Sequence, residues 1–81
     1  MIRFRLKELI ADKEFEEDRH ITFEEISRET GIHRTTLSRI ANKKGYVTST
    51  DVLDKLCTFF KVNTHEIAEH ILEEVLAQDD L

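Results

Sequence analysis

Apolar residues recur along this chain at two periods, and the change from one to the other divides it into elements. At the start, Ile2, Phe4 and Leu6 alternate with Arg3 and Arg5, whereas Ile2, Leu6, Leu9 and Ile10 fit the i, i+4, i+7, i+8 spacing of one helix face. On a helix beginning at Ile2, Phe4 would project opposite the apolar stripe. The pattern therefore predicts a short extended entry at 2–5 and a first helix from Leu6 to about Lys13. From Glu14 to His20 a single apolar residue, Phe15, stands among charges, which reads as a polar loop or a frayed helix end.

The next stretch carries its own start and stop signals. Thr22 precedes Glu25 by three, so its hydroxyl can accept from a first-turn amide and a second helix starts at Phe23. Phe23, Ile26 and Thr30 share one face. Gly31 ends the helix, because it takes a left-handed backbone without steric cost. A third helix follows from His33 or Arg34 to about Asn42, with Leu37 and Ile40 turned inward. After a polar stretch from Lys43 to Thr48, Ser49 can cap a fourth helix through Val52, Leu53, Leu56, Cys57, Phe59 and Phe60, the most apolar of the set. Thr64 can cap a fifth, about 65–77, with Ile67, Ile71, Leu72, Val75 and Leu76 as its stripe and Glu66, Glu69, Glu73 and Glu74 off it. The expectation is an all-α, five-helix single domain over 1–81.

Composition narrows the function more than the fold. With 81 residues, no proline and two glycines, there is room for one thin core and none for a deep substrate cavity inside a separate scaffold. A small enzyme is the least favoured class, and no triad, phosphate loop or paired-carboxylate arrangement stands out. The single cysteine cannot form an internal disulfide. No apolar run approaches the ~20 residues of a membrane span. Arg3, Arg5 and Lys7 interrupt the opening hydrophobics in a way unlike a signal peptide, so the expected location is cytoplasmic, without membrane contact.

The formal net charge of −5 would argue against a nucleic-acid partner, since phosphates are met with Lys and Arg. Its distribution argues the other way. Residues 1–13 carry +2, 14–27 carry −5, 28–44 carry +4 and 45–81 carry −6. Arg28, Arg34, Arg39, Lys43 and Lys44 thus stand together between two acidic stretches, and a ligand at close range meets that distribution, not the sum.

Two short helices joined by a glycine-containing turn, the second one basic and rich in hydroxyls, make the sequence picture of a helix-turn-helix over about 23–42. Ser27 is small where the helices cross, and Ile26, Ile32, Leu37 and Ile40 lock the crossing. Arg34, Thr35, Ser38 and Arg39 are left on the outward face of a helix narrow enough for a DNA major groove.

At these residues the chain resembles a known family. F-E-E-I-S-R-E-T-G-I-H-R-T-T-L-S-R-I-A-N, followed by L-D-K-L-C-T-F-F-K-V, is similar to the lambda-repressor and Cro-like (XRE) helix-turn-helix regulators of bacteria and phages. I-R-F-R-L-K-E-L is similar to the opening of short, stand-alone members. The resemblance covers about residues 2–72. It implies a sequence-specific DNA-binding transcriptional regulator, with double-stranded DNA as partner and no cofactor. It places DNA contacts at Thr22, His33, Arg34, Thr35, Ser38, Arg39 and Asn42; Thr36, Lys43 and Lys44 complete the expected set, the two lysines as nonspecific phosphate partners. It also implies a short strand at residues 2–4, for which pairing with Tyr46 to Thr48 is the expected arrangement. Three departures stand out: Phe23 where DNA-reading members often have Gln, His33 where Ser or Thr usually caps the helix, and a long acidic connection from Glu14 to Ile21.

Blander readings accompany several residues. Arg34 and Arg39 could be ordinary solvated charges, and Arg28 could pair with Glu24 at i−4 for only ~0.3–0.5 kcal/mol. His65 and His70, five apart, lie ~140° out of register for a shared zinc ion, so no metal is expected. Cys57 reads as a core residue, and Asp51 and Asp54 as helix-dipole partners. Helix 5 carries more apolar surface than a four-helix core needs; the bland reading is extra packing on the same core, and the favoured one a homodimer contact. The rival to DNA reading is an antitoxin-like or adaptor module that uses the same fold to grip a protein partner.

Overall fold

The computed structural model describes residues 1–72. A short strand β1 (Ile2–Phe4) opens the chain, followed by α1 (Leu6–Glu17), α2 (Phe23–Thr30), α3 (Arg34–Asn42), α4 (Thr50–Phe60), a single turn α5 (Thr64–Ile67) and a closing strand β2 (Ala68–His70). The fold is mostly helical with one two-stranded antiparallel pairing. Helix α2 packs on α3 and α4, α1 meets α3, and α5 rests on α4. Leu6, Ile21, Ile26, Ile32, Leu37, Ile40, Leu56 and Ile67 form the buried core, one or two residues from nearly every element. Their burial is the main source of stability.

Helix α2 follows its local signals closely. The Thr22 hydroxyl accepts from the Glu25 amide at 3.1 Å. Gly31 takes φ +81° and donates its N–H to the Ser27 carbonyl. The turn is further held by Thr30, whose hydroxyl donates to the Ile26 carbonyl at 2.7 Å and accepts from the Ile32 amide at 3.1 Å. Ile32 is thereby buried between the two helices. Helix α4 starts as Ser49 dictates, its hydroxyl accepting from the Val52 amide.

Three elements differ from the sequence expectation. Helix α1 does not stop at Lys13 but runs to Glu17 and turns off at Asp18, whose φ is +51°. The segment contains no breaker, glutamate is a good helix former, and Lys13 pairs with Glu17 at i, i+4 over 2.8 Å. Phe15 consequently sits on the outer face, 88% exposed. The rest of the acidic connection is short and tied down: the Glu14 carboxylate accepts from the Ile21 amide and lies 3.0 Å from the His20 ring, while Arg19 clamps Glu25 with two bonds of 2.8 Å.

Within the described residues, the expected fifth helix over 65–77 is corrected to one turn, Thr64–Ile67. Asn63, not Thr64, is its cap residue, and the Asn63 amide donates to the Glu66 carboxylate at 2.9 Å. After Ile67 the chain becomes extended, with Ala68 at φ −131°, ψ 137°. Val75 and Leu76 of the expected stripe lie outside the described residues.

The strand partner is corrected with it. β1 pairs with β2 in the register Ile2↔His70, Arg3↔Glu69, Phe4↔Ala68, not with Tyr46 to Thr48. The ladder is extended at both ends by Arg5 N–H to the Ile67 carbonyl and Ile71 N–H to the Met1 carbonyl. Opposite charges face each other in this register, and Glu69 receives the guanidiniums of both Arg3 and Arg5. Such a pair favours the register by a few tenths of a kcal/mol. Residues 46–48 are committed elsewhere: the Tyr46 amide closes a turn on the Lys43 carbonyl, Gly45 adopts φ +72°, and Val47 is 86% exposed.

Candidate nucleic-acid interface

Helix α3 is anchored from below and open above. At ~100° per residue, Leu37 and Ile40 point into the core, and Arg34, Thr35, Ser38, Arg39 and Asn42 fall on the opposite arc. Leu37 is fully buried and Ile40 nearly so, while Arg34, Thr35 and Arg39 are exposed. One shallow depression of about 950 Å³ gathers Thr22, His33, Arg34, Thr35, Ser38 and Arg39, so six of the ten expected DNA contacts share a single concave surface between the start of α2 and the length of α3.

The remaining four are placed differently. Asn42, Lys43 and Lys44 line a second, more apolar depression of about 670 Å³, beside Met1, Ile2 and Ile40. The Asn42 side-chain amide donates to the Ser38 carbonyl at 3.0 Å, and the Lys43 ammonium lies 6.0 Å from the centre of the Tyr46 ring. These groups continue the basic surface past the end of α3. Thr36 sits on the margin of the core arc, half-buried, and lines neither depression.

The charges are sorted as well as placed. Arg3, Arg5, Lys13, Arg19 and Lys55 are each held by a carboxylate. Among the described residues, no ion pair within 4 Å engages Arg28, Arg34, Arg39, Lys43 or Lys44. Arg28 therefore does not pair with Glu24. Glu25, the neighbouring acid, is occupied by Arg19, whose hydrogen bonds hold the Glu25 carboxyl below its ordinary range. Glu17 is lowered in the same way by hydrogen bonds from Lys13 and Arg19. Glu14, Glu17 and Glu25 are in this way held at the end of α1 and the following loop, and the guanidiniums of α3 keep their donors available for phosphate or base edges.

Four residues of this groove, Phe23, Glu24, Ser27 and Gly31, were not among the expected contacts. Phe23 packs partly on the core while one side of it faces the groove, and Glu24 lies exposed beside it. Their sequence signal is position alone: they follow the cap residue Thr22, so they enter any surface that α2 shares with α3. Cys57 is half-buried against the core. Among the described residues, no three His, Cys, Asp or Glu side chains are grouped closely enough to hold a metal ion, and no helix is long and apolar enough to cross a membrane.

No curated protein and no solved structure matches the chain. A family model does, that of the Cro/C1-type helix-turn-helix DNA-binding domain, over residues 5–73. That span contains the anchored α2–turn–α3 unit and every groove residue. The chain belongs to the Cro/C1-type helix-turn-helix DNA-binding domain family.

Proposed function

We propose that this protein is a sequence-specific transcriptional regulator that inserts α3 into the DNA major groove. The observation that carries the reading is the unpaired basic face of α3, set in a concave surface with Thr22 and Ser38 while Glu25 is held by Arg19. In this reading Arg34 and Arg39 bond guanine edges or phosphates, Thr35 and Ser38 supply hydroxyls, and His33 with Thr22 borders the backbone. Thr36 acts through its place at the edge of the helix. Asn42, Lys43 and Lys44 meet phosphates beyond the helix end and set the salt dependence. The role is one of binding, exercised in the cytoplasm without a cofactor, with residues 1–81 acting as one domain.

A homodimer completes the proposal, since two copies read two half-sites about 34 Å apart. With α5 reduced to one turn, the supporting surface is now the apolar face around β1: Ile2, Val47 and Leu72 are exposed and line two adjoining depressions that share Met1, Phe4 and Gly45. Selection from a random duplex library at low salt, read with a solution mass, tests both parts. An enriched two-fold-symmetric site and a dimer mass are expected. No enriched site, with one stoichiometric protein partner recovered instead, would replace DNA reading by the protein-interaction role.

A further inference from the structure

Among the described residues, one acid lines the groove between α2 and α3, and it is idle. Glu24 is exposed and lines the same depression as Arg34 and Arg39. Yet among the described residues no ion pair within 4 Å and no side-chain hydrogen bond engages it. Its neighbour Glu25 behaves oppositely, turned to Arg19 by two hydrogen bonds. A carboxylate standing free in a groove meant for DNA repels phosphate, so as a bystander it weakens every complex alike. Facing base edges, it has a use.

A G·C pair shows the major groove two acceptors on guanine, O6 and N7, and one donor, the N4 amino group of cytosine. The groove shows the complementary set: guanidinium donors on α3 and one pure acceptor on α2. We propose that Glu24 is a specificity-determining residue, its carboxylate accepting a hydrogen bond from the N4 amino group of a cytosine in the operator. The proposal rests on the DNA-reading function above. Glu24 then rejects thymine, which offers an O4 acceptor and a methyl group at that edge, and it gives the G·C pair a fixed orientation relative to α3. Among the described residues Glu24 is the one pure side-chain acceptor on the α2 side of the groove: the hydroxyls of Thr22 and Ser27 donate as well as accept and so would not exclude the O4 of thymine, and Phe23 has no polar atom beyond its backbone.

The test is a random-duplex selection with the wild-type chain, Glu24→Ala and Glu24→Gln, accompanied by thermal melts that confirm each is folded. For the wild type, one operator position should prefer cytosine over thymine roughly tenfold. In Glu24→Ala that preference should fall to near unity while the other positions keep theirs. Glu24→Gln, which retains a carbonyl acceptor and gains a donor, should tolerate a wider set of bases at the same position. A Glu24→Ala logo identical to wild type overturns the proposal; uniformly tighter binding with that unchanged logo would identify the carboxylate as a repeller of phosphate only. If the wild type itself enriches no site, the DNA-reading function has failed, and the proposal falls with it for a distinguishable reason.

Discussion

Replacing Leu37 by alanine separates what holds α3 from what α3 does. Leu37 is fully buried, whereas Arg34, one turn before it, is exposed. The substitution removes three carbons, worth ~2.4 kcal/mol at about 0.8 kcal/mol per buried carbon. A residual cavity of roughly 50 Å³ adds about 1 kcal/mol at ~24 cal/mol per Å³. The expected loss is therefore about 3–4 kcal/mol. At ~0.05–0.15 kcal/mol per residue, a domain of this size holds only about 4–12 kcal/mol in total, so the variant is close to unfolding at the lower end. With ~4–8 °C of melting temperature per kcal/mol, the midpoint should fall by about 12–30 °C. Far-UV circular dichroism melts and urea titrations of Leu37→Ala and Arg34→Ala check this side by side. The arginine variant, which removes an exposed side chain, should stay within about 0.5 kcal/mol of wild type. A loss under 1 kcal/mol for Leu37→Ala would mean that Leu37 does not clamp α3 to the core and that the exposed face of α3 is not held rigidly by it.

Other outcomes follow from single features. Arg34→Ala or Arg39→Ala should cost ~1–3 kcal/mol at the selected site, whereas Lys43→Ala should weaken all sequences alike and lower the salt slope by about one, both read in titrations at several salt concentrations. Gly31→Ala meets open space, with nothing within 4 Å of the added carbon, but must hold φ +81°, so it should lose roughly 1–2 kcal/mol in urea titration through backbone strain alone. Thr22→Ala should cost ~1 kcal/mol by removing the cap of α2, and Thr22→Ser should restore most of it. The lowered carboxyls of Glu17 and Glu25 make the folded state the weaker proton binder. Their contribution is present above the ordinary carboxyl value of 4.5 and is lost as pH falls below it. Arg19→Ala, which removes the leading hydrogen bond to Glu25, should flatten the acid limb of a stability–pH curve measured by urea titration.

The parts of the fold legible in sequence are those decided within a few residues. The cap at Thr22, the left-handed turn at Gly31 and the inward pair Leu37 and Ile40 each act over less than two helical turns. Together they already determine which side of α3 faces out, and with it the position of the basic face. The same locality explains the departure in α1. A charged stretch without breakers reads as loop when only apolar spacing is counted, but Glu14, Glu16 and Glu17 are adequate helix formers and Lys13 adds a supporting pair.

What tertiary structure decided lies at the two ends and in the sorting of charge. Ile67, Ile71 and Leu72 are compatible with a helix stripe, and only the unmet backbone groups of β1, some 66 residues away, turn Ala68 to His70 into a strand. Pairing at that separation has no local signature, because a strand edge offers the same hydrogen bonds to any extended segment that reaches it. Likewise, the chain by itself showed a +4 stretch between acidic neighbours, with no indication of which acids would neutralise which bases. Folding drew Arg3 and Arg5 to Glu69 and Arg19 to Glu25, and left Arg34, Arg39 and Glu24 facing one groove. Sequence determined the helix that carries the basic face and the residues it presents; packing determined which of their charges remain available, since an ion pair depends on distances that only the folded chain defines.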